Sequence, residues 1–122
     1  MKTILVVEDE QALRQILSDE LTKQGFKVLS GKDGVEGLDL AVKNKPDLIL
    51  IDIVMPKMDG ITMLKEIRKN PTSKKIPVMI LTNLSDPEQM ATALENQAYD
   101  YYIKTDLELA DLIQRIKTKL GS

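Results

Sequence analysis

The chain has 122 residues, with 17 Lys or Arg against 19 Asp or Glu and neither cysteine nor histidine. That length suits one domain able to remove roughly two thirds of its unfolded surface from water, and the formal net charge of −2 argues against a nucleic-acid surface, which wants a concentrated basic face. The missing Cys and His exclude disulfides, thiolate and imidazole metal sites, histidine-based triads and an internal phosphohistidine, so chemistry must rest on carboxylates, hydroxyls, lysines or backbone. No apolar stretch is long enough for a signal-peptide core or a bilayer span, and the expected location is the cytoplasm.

Ile4-Leu5-Val6-Val7 reads as a first strand, buried on both faces because its apolar residues run without alternation. A helix follows from about Gln11 to Gln24, with Leu13, Ile16, Leu17 and Leu21 facing inward and Gly25 as a stop signal. Lys27-Val28-Leu29 is a polar-flanked edge strand. Val35, Leu38, Ala41 and Val42 mark a second helix that ends before Lys45-Pro46. Leu48-Ile49-Leu50-Ile51 repeats the buried-strand pattern, followed by a helix carrying Ile61, Leu64 and Ile67 and closed by Pro71. After the strand Val78-Met79-Ile80-Leu81, Asp86-Pro87 offers an N-cap with proline at the first helical position. The apolar stripe of that fourth helix is short, only Met90, Ala91, Ala93 and Leu94, so little burial holds it and it is expected to move. Tyr101-Tyr102-Ile103 forms the last strand. Leu109, Leu112, Ile113, Ile116 and Leu120 then give the fifth helix one apolar face, ended by Gly121.

Five β-α units of this kind predict an α/β fold: a doubly wound, flavodoxin-like, five-stranded parallel sheet of order 2-1-3-4-5 with five helices. Residues 1–122 form a single domain in this reading. Ligands of such sheets bind outside the carboxyl ends of the strands where the strand order reverses, here between the first and third strands. Glu8, Asp9 and Asp52 meet at that point, and Thr82, Tyr101 and Lys104 stand at or near other strand ends. Carboxylates about 4 Å apart repel by on the order of 4 kcal/mol per pair at an effective dielectric near 20. A divalent cation relieves that repulsion, and few, hard oxygen ligands suit Mg²⁺ better than a Ca²⁺ cage.

Each residue also has an ordinary explanation. Acids ahead of a helix usually cap it, which covers Glu8 and Asp9; Thr82 resembles a strand-end hydroxyl and Lys104 a surface lysine. Asp52 is harder to explain this way, since it directly follows four apolar residues.

Four blocks carry a resemblance over essentially the full chain: Val6-Val7-Glu8-Asp9-Glu10, Asp52-Ile53-Val54-Met55-Pro56 with Asp59-Gly60, Leu81-Thr82, and Ala98-Tyr99-Asp100-Tyr101-Tyr102-Ile103-Lys104. The chain resembles a response-regulator receiver domain of the chemotaxis-regulator-like type, a family with a member among the standard cases of the switch-point rule used above. The resemblance implies that Asp52 accepts a phosphoryl group from the phosphohistidine of a sensor histidine kinase or phosphotransfer protein. It implies Mg²⁺ held by Asp9 and Asp52, by Glu8 through water, and by the Val54 carbonyl. Lys104 then neutralises phosphoryl oxygens, Thr82 donates its hydroxyl to one, and Tyr101 occupies the switch position. The expected domain is a signalling one that promotes its own aspartyl phosphorylation and dephosphorylation, with a downstream protein docking on the fourth helix, fifth strand and fifth helix. Tyr99 and Tyr102 are candidate contacts there. No direct nucleic-acid or membrane contact is expected.

Three departures stand out. Asn83 follows Thr82 in place of a small residue, Gln97 replaces a common glycine, and Thr105 follows Lys104 in place of proline. For Thr105 the expectation is a trans peptide, since cis costs roughly 2.5–4 kcal/mol outside proline, and N-capping of the fifth helix through the box Thr105-Asp106-Leu107-Glu108. The alternative functions are a phosphorylation-independent binding module of the same fold, and a Mg²⁺-dependent hydrolase. The latter lacks a Gly-rich phosphate cradle after the first strand and a general-base histidine.

Overall fold

A computed structural model of the protein describes residues 1–121. Five strands alternate with five helices: β1 Thr3–Val7, α1 Gln11–Lys23, β2 Lys27–Gly31, α2 Gly34–Asn44, β3 Leu48–Ile51, α3 Gly60–Lys69, β4 Val78–Thr82, α4 Pro87–Glu95, β5 Asp100–Ile103 and α5 Leu109–Leu120. A single 3-10 turn, Lys104–Asp106, joins β5 to α5. All strand pairs are parallel and the order is β2-β1-β3-β4-β5, as the alternation of elements predicts.

The unbroken apolar runs are explained by helices on both sides of the sheet. Leu5, Val7, Ile49, Ile51, Val78 and Ile80 face a core closed by α2, α3 and α4, with Met63, Leu64 and Ile67 of α3 at its centre. Ile4, Val6, Leu48, Leu50, Met79 and Leu81 face the opposite core, closed by Leu17 and Leu21 of α1 and by Leu112, Ile113 and Ile116 of α5. Edge strand β5 has no fully buried residue.

Several helix faces differ from expectation. Ile16, read as inward, and Val35, one of the apolar residues that mark the second helix, are 51 % exposed, because α1 and α2 each present a stripe narrower than the apolar spacing suggests. In α4, Asp86 caps the helix as expected by accepting from the Glu88 amide at 3.0 Å. Its stripe is largely outside the core, however: Ala93 is buried, whereas Met90, Ala91 and Leu94 are exposed. Little buried area holds this helix. The Lys104–Thr105 peptide is trans, like every other among the described residues, but Thr105 does not cap α5. The 3-10 turn takes up Thr105 and moves the helix start three residues on, where Glu108 is the N-cap without a side-chain cap bond.

The Asp59-Gly60 pair gains a physical reason. Asp59 caps α3 by accepting from the Thr62 amide at 2.8 Å. Gly60 lies so close to β3 that a Cβ there would stand 2.2 Å from the backbone oxygen of Asp52. Gln97, by contrast, holds a left-handed φ of 59°, the conformation glycine adopts without strain. We expect Gly60→Ala to destabilise the protein by about 1–3 kcal/mol through overpacking, measured by urea unfolding; a loss below 0.5 kcal/mol would show that the Asp52 backbone yields freely.

Candidate functional site

Strand register assembles the site. The β1 ladder continues one residue past the strand, with the Glu8 amide on the Gly31 carbonyl at 3.0 Å, and the Asp52 amide bonds the Val7 carbonyl at 3.1 Å. Glu8 and Asp52 therefore emerge side by side at the carboxyl edge, where β1 and β3 part to opposite sides of the order. Asp9 completes the group: one carboxylate oxygen from each of the three residues lies within 4.8 Å of the others.

Glu8 and Asp52 are only 2 % and 6 % exposed, and unrelieved charge there is expensive. Lys104 relieves it. From the far side of β4, its ammonium donates to Glu8 Oε1 at 2.7 Å, to Asp52 Oδ2 at 2.9 Å and, more loosely, to Glu10 Oε1 at 3.4 Å. Burial pushes the Glu8 carboxyl up to about 7; the Lys104 hydrogen bond and the Glu10 amide pull it down, and the Asp52 charge raises it further. For Lys104 burial opposes the charged form, but its hydrogen bonds to Glu8 and Asp52 outweigh that and hold it above the ordinary lysine range.

The acids do not act as caps of α1. Glu10 holds that position and makes no side-chain cap bond, while Glu8 Oε2 accepts from the Glu10 amide at 3.1 Å. Arg14, which sequence reasoning passed over, steadies this turn by donating Nη1 to the Glu8 carbonyl at 2.7 Å. Its signal was available: an arginine early in a helix opposes the dipole and needs another reason to be there.

Thr82 ends β4 with no exposed surface. Its Oγ1 accepts from the Leu84 amide at 3.3 Å, leaving its proton uncommitted to any protein acceptor among the described residues. The Leu84 carbonyl in turn accepts from the Tyr101 hydroxyl at 2.5 Å. The Tyr101 ring is half-buried against the α2-α3-α4 core, and burial, followed by the Asp86 and Asp52 charges, raises its phenol pKa. Tyr102 instead donates to Asp100 at 3.1 Å and carries the Arg115 guanidinium 4.9 Å above its ring; Tyr99 is exposed. The Val54 side chain is exposed, and its amide lies 3.4 Å from Asp52 Oδ1.

An all-oxygen, three-carboxylate set is chemically suited to a hard divalent cation such as Mg²⁺, and the Glu8 pKa, raised chiefly by burial and further by the Asp52 charge, marks a charged form that such an ion would favour.

A family profile described as "Response regulator receiver domain" matches residues 4–117. The chain is 40% identical over 101 residues to the "Probable transcriptional regulator ycf27" of Porphyridium aerugineum, covering 83% of this chain and 41% of that protein. It is 32% identical to the "DNA-binding dual master transcriptional regulator RpaA" of Synechocystis, covering 98% and 49%. The chain thus spans half or less of the length of these curated relatives. Among solved structures, a "response regulator receiver domain protein (CheY-like)" from Methanospirillum hungatei superposes with a TM-score of 0.90 at 28% identity, covering 99% of this chain and 94% of that one.

The folded Glu8 pKa of about 7 against an ordinary 4.5 means that between those values the folded state keeps a proton the unfolded chain has released. On this account metal-free stability falls as pH rises from about 4.5 to 7, and the Mg²⁺-induced gain in Tm grows over the same window. Circular-dichroism melts check this against Glu8→Gln, which should flatten both trends; equal slopes in the two proteins would contradict it. Lys104→Met leaves the buried acids unpaired and should destabilise the metal-free protein by on the order of 3 kcal/mol.

Proposed function

The chain belongs to the response-regulator receiver family, the signalling domain of two-component systems, and on that premise we propose that Asp52 is its phosphoacceptor. The observation that carries this is the contact of a nearly buried Asp52 carboxylate with the Lys104 ammonium, 2.9 Å away, at the sheet's switch point. A carboxylate oxygen of Asp52 attacks the phosphorus of a kinase or phosphotransfer-protein phosphohistidine; the P–N bond breaks and its electron pair stays on the imidazole. Water later attacks the acyl phosphate, releasing inorganic phosphate and restoring the carboxylate.

Lys104 is already at the site and transfers one of its hydrogen bonds to a phosphoryl oxygen as negative charge accumulates. Thr82 offers the proton that no protein acceptor among the described residues claims. Asp9, Asp52, Glu8 through water and the Val54 carbonyl would hold Mg²⁺, which when bound supplies further positive charge to the phosphoryl oxygens. The domain in this reading promotes its own phosphorylation and dephosphorylation.

Switching requires contacts that differ between two states. Here Leu84 joins the two switch residues, its amide on Thr82 and its carbonyl on Tyr101, so turning the Thr82 hydroxyl toward phosphate frees the segment that anchors the Tyr101 ring. Weakly buried α4 is the element able to respond, and α4, β5 and α5 form the readout face for a downstream protein, with Met90, Leu94 and Tyr99 exposed on it. We assign residues 1–122 to one receiver unit working in the cytoplasm without direct nucleic-acid contact; among the described residues no helix is long and apolar enough to cross a membrane. The sequence departures leave the cluster intact: Asn83 is exposed, and the turn containing Thr105 still delivers Lys104 to Asp52.

Incubation with Mg²⁺ and acetyl phosphate, read by intact mass, should give a single acid-labile adduct on the parent and none on Asp52→Asn. An Asp52→Asn protein labelled as fast as the parent would move the acceptor elsewhere. The same substitution leaves Lys104 paired with Glu8, so metal-free stability should not fall. Exposed Val54 and half-buried Leu84 stand two residues after Asp52 and Thr82, where apolar side chains keep attacking water from being oriented. The double variant Val54→Asn, Leu84→Glu should lose phosphate several-fold faster; an unchanged rate would remove that role.

A further inference from the structure

At the amino ends of the strands, away from Asp52, one side chain ties together the loop before β4 and the loop before β5. Arg68 donates Nε to the Asn96 carbonyl at 2.8 Å, Nη1 to Lys74 and Ile76 carbonyls at 3.0 and 2.7 Å, and Nη2 to the Gln97 carbonyl at 3.4 Å. A guanidinium has five N–H donors. Four are spent here, which fixes both loops and masks carbonyl oxygens that would repel an anion.

Between these loops lies a cavity of about 450 Å³, within the range of small-molecule sites, about 300–1,000 Å³. Arg68, Lys74, Lys75 and Lys119 line it and, among the described residues, no carboxylate does, a local excess of positive charge in a chain of net charge −2. Two of the four cations have structural duties: Arg68 holds the loops, and Lys119 pairs with Asp100 at 2.5 Å. Lys74 and Lys75 have no carboxylate partner among the described residues. Tyr99 and Pro77 also line the cavity, and Tyr99 is 66% exposed although most tyrosine surface is apolar.

We infer that this cavity binds a phosphorylated ligand bearing a flat ring, a mononucleotide in chemical class. Lys74 and Lys75 meet the phosphate as point charges, and Tyr99 offers a face on which the base stacks. Concavity and walls already held by Arg68 favour a small ligand over a protein surface, since little ordering is needed on binding. The inference stands apart from the assignment of Asp52, and its test is made in chelator so that the acidic cluster takes no part.

Adenosine 5′-monophosphate, inorganic phosphate and adenosine are titrated separately into the ¹⁵N-labelled chain. The expected result is saturable amide shifts at Lys74, Lys75, Gln97 and Tyr99 with the mononucleotide, and weaker binding of either fragment. The double variant Lys74→Glu, Lys75→Glu, checked for an unchanged melting curve, should weaken binding at least ten-fold; Tyr99→Leu should weaken the mononucleotide but not inorganic phosphate. Non-saturable shifts, shifts centred elsewhere, or equal affinity in the charge-reversed protein overturn the site. Inorganic phosphate binding as tightly as the mononucleotide overturns the role of the ring. Saturable binding of a poly-glutamate peptide with none of the mononucleotide replaces the small ligand with an acidic protein partner.

Discussion

Everything at the carboxyl edge of the sheet depends on placing one ammonium among buried carboxylates. Lys104 reaches Glu8 and Asp52 from beyond β4, and its charge lets two acids remain nearly out of water. The pair is strong locally because the surroundings exclude solvent, yet burial has already removed much of the hydration each charge would enjoy. Such an arrangement is better suited to exchange than to stability, because any change in the charge of either acid alters what holds the ammonium.

The fold supplies the precision this needs. Helices on both faces close separate apolar cores, so the strands that carry the acids have little freedom to slide; a one-residue slip would exchange the two faces of every strand. Gly60 allows α3 to begin against the Asp52 backbone, and Arg14 steadies the turn that carries Glu8 and Asp9. Rigid positioning is concentrated around β1 and β3.

The looser packing lies on the other side. α4 buries only Ala93 fully, and the segment leading into it touches the site through the peptide groups of Leu84. Its far end is different: the turn after α4 is fastened by Arg68 to the loop before β4. A helix fixed at one end and weakly packed along its length can change its orientation at the end nearest the acidic cluster.

The sequence alone determined the strand order, the five β-α units and the meeting of Glu8, Asp9 and Asp52, because continuous apolar runs and the switch-point rule involve only local pattern and topology. It also located the cap at Asp86, whose partner amide lies two residues away. What depended on distant neighbours was settled only by tertiary structure. Ile16 and Val35 have helical spacing like their buried neighbours, but only packing decides how wide a stripe is covered. Thr105-Asp106-Leu107-Glu108 matches a capping box, yet the chain leaving β5 with Lys104 tied to Asp52 continues through a 3-10 turn before α5 can start. The carbonyl partners of Arg14 and Arg68 were not legible for the same reason, although the place of Arg14 early in its helix hinted that it had one: an arginine's partners are set by which loops the fold brings within its reach, and a carbonyl oxygen leaves no mark in the sequence.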